Sequence, residues 1–228
     1  MSKYILQIIA CCFLLAPAVL TAQTKGATKP ETSDPAARAI LEKVRQKYEA
    51  YQTLEAEFTL IIELPEQGRE SQKGKIAQQG DQYRLDLESQ TIVSDGKNIW
   101  LHLKNNNEIQ ITSVEDADDE SVLSPKDLLH IYEKKNYIYA LTNEYTDSGR
   151  AMQQIEFKPT DRFSEYAKLR VEIDKQLSQV MTIKAFGKDG SRFTLILERM
   201  TPNKTMPSNH FTLDPKAYPG VHVEDLRG

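Results

Sequence analysis

From residue 54 onward, apolar and polar positions alternate with a period of two. Phe58, Leu60, Ile62 and Leu64 interleave with Glu57, Thr59 and Glu63 before the run ends in Pro65-Glu66-Gln67-Gly68. One apolar side at period two predicts a half-buried antiparallel strand followed by a turn. The pattern returns in short runs at 71–78, 83–87, 90–94, 98–103, 108–113, 137–143, 150–157, 169–174, 179–186 and 192–200. Asp95-Gly96, Asn105-Asn106-Asn107, Ser148-Gly149 and Lys188-Asp189-Gly190 separate several of these runs. Such residues accept the positive φ angles that tight hairpins require. About 10–11 strands joined in this way form a meander, and a sheet that wide curls rather than staying flat.

Two helices interrupt the period. Asp34-Pro35 supplies an N-cap and a first-turn proline, after which Ile40, Leu41, Val44, Tyr48 and Tyr51 recur at helical spacing. The opposite face of that helix carries Arg38, Glu42, Arg45, Gln46 and Glu49 and is expected to be wet. The second helix is inserted between strands. An acidic run at 115–120 leads into Ser124-Pro125-Lys126-Asp127-Leu128-Leu129-His130-Ile131-Tyr132, with proline at the first helical position. Leu128, Leu129, Ile131 and Tyr132 exceed what one face of two turns needs, so this helix is expected to cover something hydrophobic. The acidic run reads as a solubilising loop or as a patch that steers docking.

The first 22 residues read as an export signal. Lys3 precedes an apolar stretch from Tyr4 to Leu20, and polarity returns at Thr21-Ala22-Gln23. A basic start, an apolar middle and a small residue before the polar boundary predict cleavage after Ala22. Residues 23–33 read as a flexible tether and 34–228 as one domain, since no linker or internal repeat divides them. Both cysteines, Cys11 and Cys12, fall within the signal, so the exported chain is expected to fold on its core alone, in a periplasm.

Composition removes whole classes of function. A formal charge of −4 leaves no surplus of lysine and arginine to neutralise a phosphate backbone, so nucleic acid is not expected as a partner. The four histidines, His102, His130, His210 and His222, lie far apart with no metal-binding spacing. The acidic run lacks the glycine and spaced oxygens of a calcium loop. No nucleophile elbow, dinucleotide fingerprint or phosphate loop is present. The chain is therefore expected to be neither an enzyme nor a metal or cofactor binder, and a hydrolase would need a site assembled wholly by folding. What remains is a curled sheet with alternating apolar residues and two amphipathic helices. Either the helices simply complete its core, or the concave side holds a hydrophobic ligand.

One resemblance bears on that choice. Thr91-Ile92-Val93-Ser94-Asp95-Gly96-Lys97-Asn98-Ile99-Trp100, followed by Glu108-Ile109-Gln110-Ile111, resembles the periplasmic outer-membrane lipoprotein carrier family, the LolA-like proteins. The helix from Ile40 to Tyr51 running into Thr53-Leu54-Glu55-Ala56-Glu57-Phe58 is similar to that family's opening, and Ser124-Pro125 with Leu128-Leu129 to its inserted helix. Asn209-His210-Phe211-Thr212-Leu213-Asp214-Pro215 and Tyr218-Pro219-Gly220-Val221-His222-Val223 match its ending.

The resemblance implies an incomplete, half-open barrel whose concave face and covering helices bind acyl chains. The strand residues expected on that wall are Phe58, Leu60, Ile62, Tyr83, Leu85 and Leu87, then Trp100, Phe157, Met181, Ile183, Phe193 and Leu195. Leu128, Leu129 and Tyr132 would come from the inserted helix and Phe211 from the C-terminal segment. The best-known branch of the family carries an Arg-Pro pair that holds a lid closed. Here that stretch reads Gln78-Gln79-Gly80-Asp81, which puts the chain in a divergent branch and leaves Arg84 as the candidate for lid hydrogen bonding. The implied partners are acylated lipoproteins or another lipid, an inner-membrane lipoprotein-releasing transporter as donor and an outer-membrane acceptor, with the carrier acting as a monomer. The alternative is a lipid-sensing or protein-interaction module of the same half-barrel fold.

Overall fold

The computed structural model describes residues 32–115, 130–133 and 135–227. The export signal at 1–22, most of the tether, and Leu128 and Leu129 lie outside the described residues. Helix α1 (Pro35–Glu49) opens the fold, and twelve strands follow: β1 (Leu54–Leu64), β2 (Gly68–Gln79), β3 (Gln82–Leu87), β4 (Gln90–Ser94), β5 (Asn98–Leu103), β6 (Glu108–Ser113), β7 (Tyr137–Asp147), β8 (Arg150–Pro159), β9 (Tyr166–Asp174), β10 (Gln179–Gly187), β11 (Arg192–Pro202) and β12 (His222–Asp225). They form one sheet in the order β12-β6-β5-β4-β3-β2-β1-β11-β10-β9-β8-β7. Its edges, β12 and β7, do not meet, so the sheet is an open curl rather than a closed barrel.

The order follows from the hairpins. From β1 the chain steps outward to β6, crosses to the β7 edge, and steps back to β11, which pairs with β1 in mid-sheet. The Ser148-Gly149 turn has φ of 48° and 79°, the mirror-image geometry that matches strand twist. Strand β12 is an addition to the expected antiparallel meander, since it pairs with β6 in parallel, His222 opposite Glu108. It is four exposed residues long with no apolar alternation, so only the free edge of β6 defines it.

Helix α1 lies on one face of the sheet because its buried side, Ala37, Leu41 and Val44, joins a core with Tyr139, Ile155, Phe157 and Ile173. Its N-cap also docks it. Asp34 accepts from the Ala36 N–H at 2.8 Å and from the Leu141 N–H of β7 at 3.2 Å, while its own N–H donates to the Tyr139 carbonyl at 2.9 Å. At the other end the Tyr48 hydroxyl accepts from the Val180 N–H at 3.2 Å. The opposite sheet face is covered at the β4–β6 side by the C-terminal segment, where Leu213, Tyr218 and Val221 pack with Val93, Trp100, Ile109 and Ile111.

Candidate functional site

Strand register sorts the side chains into two faces, since directly opposed residues point to the same side. Phe58, Leu60 and Ile62 of β1 stand opposite Leu197, Leu195 and Phe193 of β11. The rows continue from Leu195 to Ile183, Val171 and Ile155, and from Phe193 to Ala185, Leu169 and Phe157. In the other direction Phe58 faces Gly74 and then Leu87, and the next row runs from Ile76 through Leu85 and Ile92 to Leu101. Tyr83 pairs with Ser94, which pairs with Ile99. This inner face of the curl is the one that α1 covers.

Ten of the strand positions expected on the wall therefore share one face: Phe58, Leu60, Ile62, Tyr83, Leu85, Leu87, Phe157, Ile183, Phe193 and Leu195. Tyr132 joins them in the core beneath α1. Trp100 does not, because it pairs with Val93 and Ile111 and packs under the C-terminal segment on the opposite face. Met181 falls at a β-bulge between Val180 and Thr182, and it is Val180 that enters the core, while the Met181 sulfur lies 3.9 Å from Gln179 Nε2. Phe211 is buried within the C-terminal segment, its ring edge-on to His210 at 5.0 Å.

Arg84 also lies away from the inner face. It shares the outer face with Val93 and forms a two-pronged pair with Asp86, Nε to Oδ2 at 2.7 Å and Nη2 to Oδ1 at 3.1 Å. Asp86 also accepts from the Thr91 hydroxyl at 2.9 Å. Arg84 and Thr91 hold the Asp86 carboxyl below its ordinary range despite burial. Arg84 therefore anchors the outer face.

The contacts that tie the inserted segment down come instead from the side of α1 expected to be wet. Residues 131–133 form a single 3-10 turn with Ile131 and Tyr132 buried. The Tyr132 hydroxyl donates to Glu42 at 2.9 Å. His130 places Nδ1 2.7 Å from Glu133 and Nε2 3.1 Å from Glu49. Arg45 pairs with Glu42 and, at 3.1 Å, with Glu49. Burial, then the bond to Glu42, pushes the Tyr132 phenol up to about 12. The hydrogen bond from Arg45, with that from Tyr132, holds Glu42 below its usual range, and His130 does the same to Glu133. Beside this network a pocket of about 160 Å³ opens between the end of α1 and the start of β1, with Tyr48, Tyr51, Leu54 and His130 in its lining and Gln78 and Gly80 opposite.

The outer face of the β8–β11 half is ionic. Glu156 accepts from Arg170 at 2.7 Å and Lys168 at 2.9 Å, and Lys184 lies 3.5 Å from Glu172. Lys168 and Arg170 sit over the Phe186 ring at 5.1 and 5.3 Å. One curled sheet thus carries rows of alkyl and aromatic side chains on its inner face and, over half its width, a salt-bridged outer face. Among the described residues no cluster of histidine and carboxylate is placed to hold a metal ion, and no helix is long and apolar enough to cross a membrane.

Comparison with known proteins places this architecture. Residues 49–214 match the family described as outer membrane lipoprotein carrier protein LolA. The chain belongs to the LolA family. Among solved structures, an uncharacterized conserved protein from Thermus thermophilus shares the fold at 14% identity and a TM-score of 0.56, covering 83% of this chain and 99% of that one. Mycobacterium bovis LprF matches at 12% identity, TM-score 0.46, over 78% of this chain and 98% of that one. The Pseudomonas aeruginosa MucA/MucB complex matches at 12% identity, TM-score 0.38, over 78% of this chain and 61% of that one. No curated protein matches this LolA-family chain by sequence. Gln78 and Gly80, from the stretch where the resemblance looks for an Arg-Pro pair, lie on the pocket wall.

The inner face also holds residues beyond the expected wall, among them Ile92, Ile99 and Leu101. The signal for them lies in β5. His102 shares the parity of Trp100, so Ile99, Leu101 and Leu103 form the uniformly apolar side of Asn98–Leu103.

Proposed function

We propose that the inner face binds the acyl chains of lipoproteins or a related lipid, and that this LolA-family protein shuttles them through the periplasm towards the outer membrane. The observation that carries the reading is the segregation of the sheet: the rows through Phe58, Leu60 and Ile62 run unbroken into β11 on one side, and the neighbouring row runs through Leu85 and Ile92 to Leu101 on the other. Alkyl and aromatic side chains bind by area and perform no bond chemistry, so the reading is of a carrier and not an enzyme. Each buried methylene gains about 0.8 kcal/mol, so long chains bind without any charged contact.

Helix α1 and the 130–133 turn pack on that face, so cargo enters by displacing them, and the polar contacts of Asp34, Tyr48 and Tyr132 mark where that cover is fastened. The test is native mass spectrometry, with lipid extraction, of protein recovered from the periplasm. Acylated protein or lipid is expected to co-purify and to be lost in folded Leu85→Glu and Leu101→Glu variants, which charge one row of the inner face. A clean unliganded mass, together with capture of one membrane-anchored protein partner, would overturn the carrier reading in favour of an interaction module.

A further inference from the structure

His130 stands between two carboxylates that come from different elements. Its Nδ1 lies 2.7 Å from Glu133 Oε2 on its own turn, and its Nε2 lies 3.1 Å from Glu49 Oε1 at the end of α1. Both are hydrogen-bond distances, and an ionised carboxylate can only accept. A neutral imidazole has one N–H and a lone pair on its other nitrogen, so it donates to one of these partners and turns the lone pair on the other. An imidazolium donates to both. The arrangement is therefore complete in one protonation state and broken in the other.

An imidazolium also balances the charge around it. Among the described residues, α1 brings Glu42, Arg45 and Glu49 to this place and the turn brings Tyr132 and Glu133. Arg45 pairs with Glu42 and Glu49 and lies 3.9 Å from Glu133, so one guanidinium serves three carboxylates. Tyr48, Tyr51, Leu54 and Gln78, which share the pocket with His130, add no charge near neutral pH. What the ring connects gives it a use. Ile131 and Tyr132 of the turn join Leu41 and Val44 of α1 in one core on the inner face, so His130 to Glu49 and Tyr132 to Glu42 fasten the two pieces of one cover together. Of these two fastenings only the first involves a side chain that ordinarily changes charge between pH 5 and 8.

We propose that His130 is a proton-operated latch on the cover of the inner face: protonated, it ties the 130–133 turn to the end of α1 and opposes the entry of cargo, and neutral, it lets the two separate. The gating of cargo rests on the acyl-binding reading of that face, whereas the latch itself does not. The latch is tested without ligand, by amide hydrogen exchange in the last two turns of α1, corrected for the intrinsic pH dependence of exchange. Local opening of α1 leaves aside His102 and His210, which lie in β5 and the C-terminal segment and act on the whole fold. Protection is expected to be about threefold to fivefold higher at pH 5.5 than at pH 8, the size of one partly exposed ion pair. In His130→Gln it should stay at the pH 8 level throughout. In Glu49→Gln most of the response should vanish, because a carboxamide can donate to the lone pair of the neutral ring. A flat profile in the unmodified protein, or an undiminished response in either variant, would overturn the latch. Gating is tested with a fluorescent diacylglycerol, which carries no charge at either pH. It should bind about threefold more tightly at pH 8 than at pH 5.5, with that ratio near one in His130→Gln. Binding that ignores pH while α1 protection follows it would overturn the gating and leave the carrier reading standing. If the probe does not bind at all, the carrier reading fails and the gating with it, and the exchange data alone decide the latch.

Discussion

Replacing Gly74 by alanine adds one methyl group at the centre of the inner face. A Cβ there would stand 2.3 Å from Phe58 Cζ, 2.6 Å from Phe58 Cε2 and 2.8 Å from Leu87 Cδ2. All three distances are well inside van der Waals contact. Both neighbours are buried, Phe58 at 3% exposure and Leu87 at 7%, so neither can swing into water. Inserting a methyl into a packed core costs about 1–3 kcal/mol. Alanine fits a strand better than glycine and returns about 0.5–1 kcal/mol, which leaves a net loss of roughly 1–2 kcal/mol.

The discriminating step is a double-mutant cycle with Phe58→Leu. Alone, that change removes ring atoms from the core and destabilises by about 1–2 kcal/mol, less than full truncation to alanine. In the double variant the new methyl occupies space the ring has vacated. The combined cost should therefore fall short of the sum by about 1 kcal/mol or more, a coupling expected only of residues in direct contact. Urea unfolding of the four proteins at constant m-value measures it. Additivity within about 0.5 kcal/mol would show that the Phe58 ring does not lie on Gly74, and the continuity of the inner face between β1 and β3 would fall with it.

Two further outcomes follow from the two-faced sheet. Trp100 packs with Leu213, Tyr218 and Val221 on the outer face. Its emission should stay unchanged when acyl ligand binds and shift to the red in Tyr218→Ala; a ligand-induced shift with intact C-terminal packing would contradict the register. His102, stacked edge-on against Tyr218 at 4.4 Å, and His210 are both held below the ordinary histidine value, chiefly by burial and then by Lys104 and Arg84 respectively. The unfolded chain then binds those protons more readily, so stability is full above about pH 6.5 and falls as pH drops below it. The urea midpoint should decrease between about pH 7.5 and 5.5 and do so less in His102→Phe; a flat profile in that window would refute it.

Alternation makes most of the strands legible and even contains the answers to two misplacements. In Tyr83-Arg84-Leu85-Asp86-Leu87 the period itself sets Arg84 opposite the apolar side, where Asp86 and Thr91 wait for it. In Asn98–Leu103 both parities carry large apolar groups, so Trp100 competes with Ile99 and Leu101 until His102 is counted. Other features depend on tertiary structure. The bulge at Val180 shifts the parity of β10 and displaces Met181, and no local pattern in Gln179–Gly187 announces it. The charged side of α1 reads as a solvated face because nothing local shows that Tyr132, 90 residues on, brings a hydroxyl to Glu42.

On the proposed acyl-binding function, the same division explains how a cover could be exchanged for cargo. The buried side of α1 rests chiefly on Leu41 and Val44, with the small Ala37 fully buried beside them. Burial of two such side chains is worth about 3–6 kcal/mol, which about four to eight methylenes of an acyl chain replace. A chain longer than that would outcompete the helix for the rows through Leu60 and Ile62, and each further methylene would widen the margin. The margin is opposed by the fastenings at the helix ends, Asp34 to β7, Tyr48 to Val180 and Tyr132 to Glu42, whose net contribution is about 1 kcal/mol apiece. Hydrophobic area sets how tightly a chain is held, whereas these few directional bonds set when the cover lifts. With its fastenings at the two ends of α1 and on the 130–133 turn, the proposed carrier would release what it binds without changing the surface that binds it.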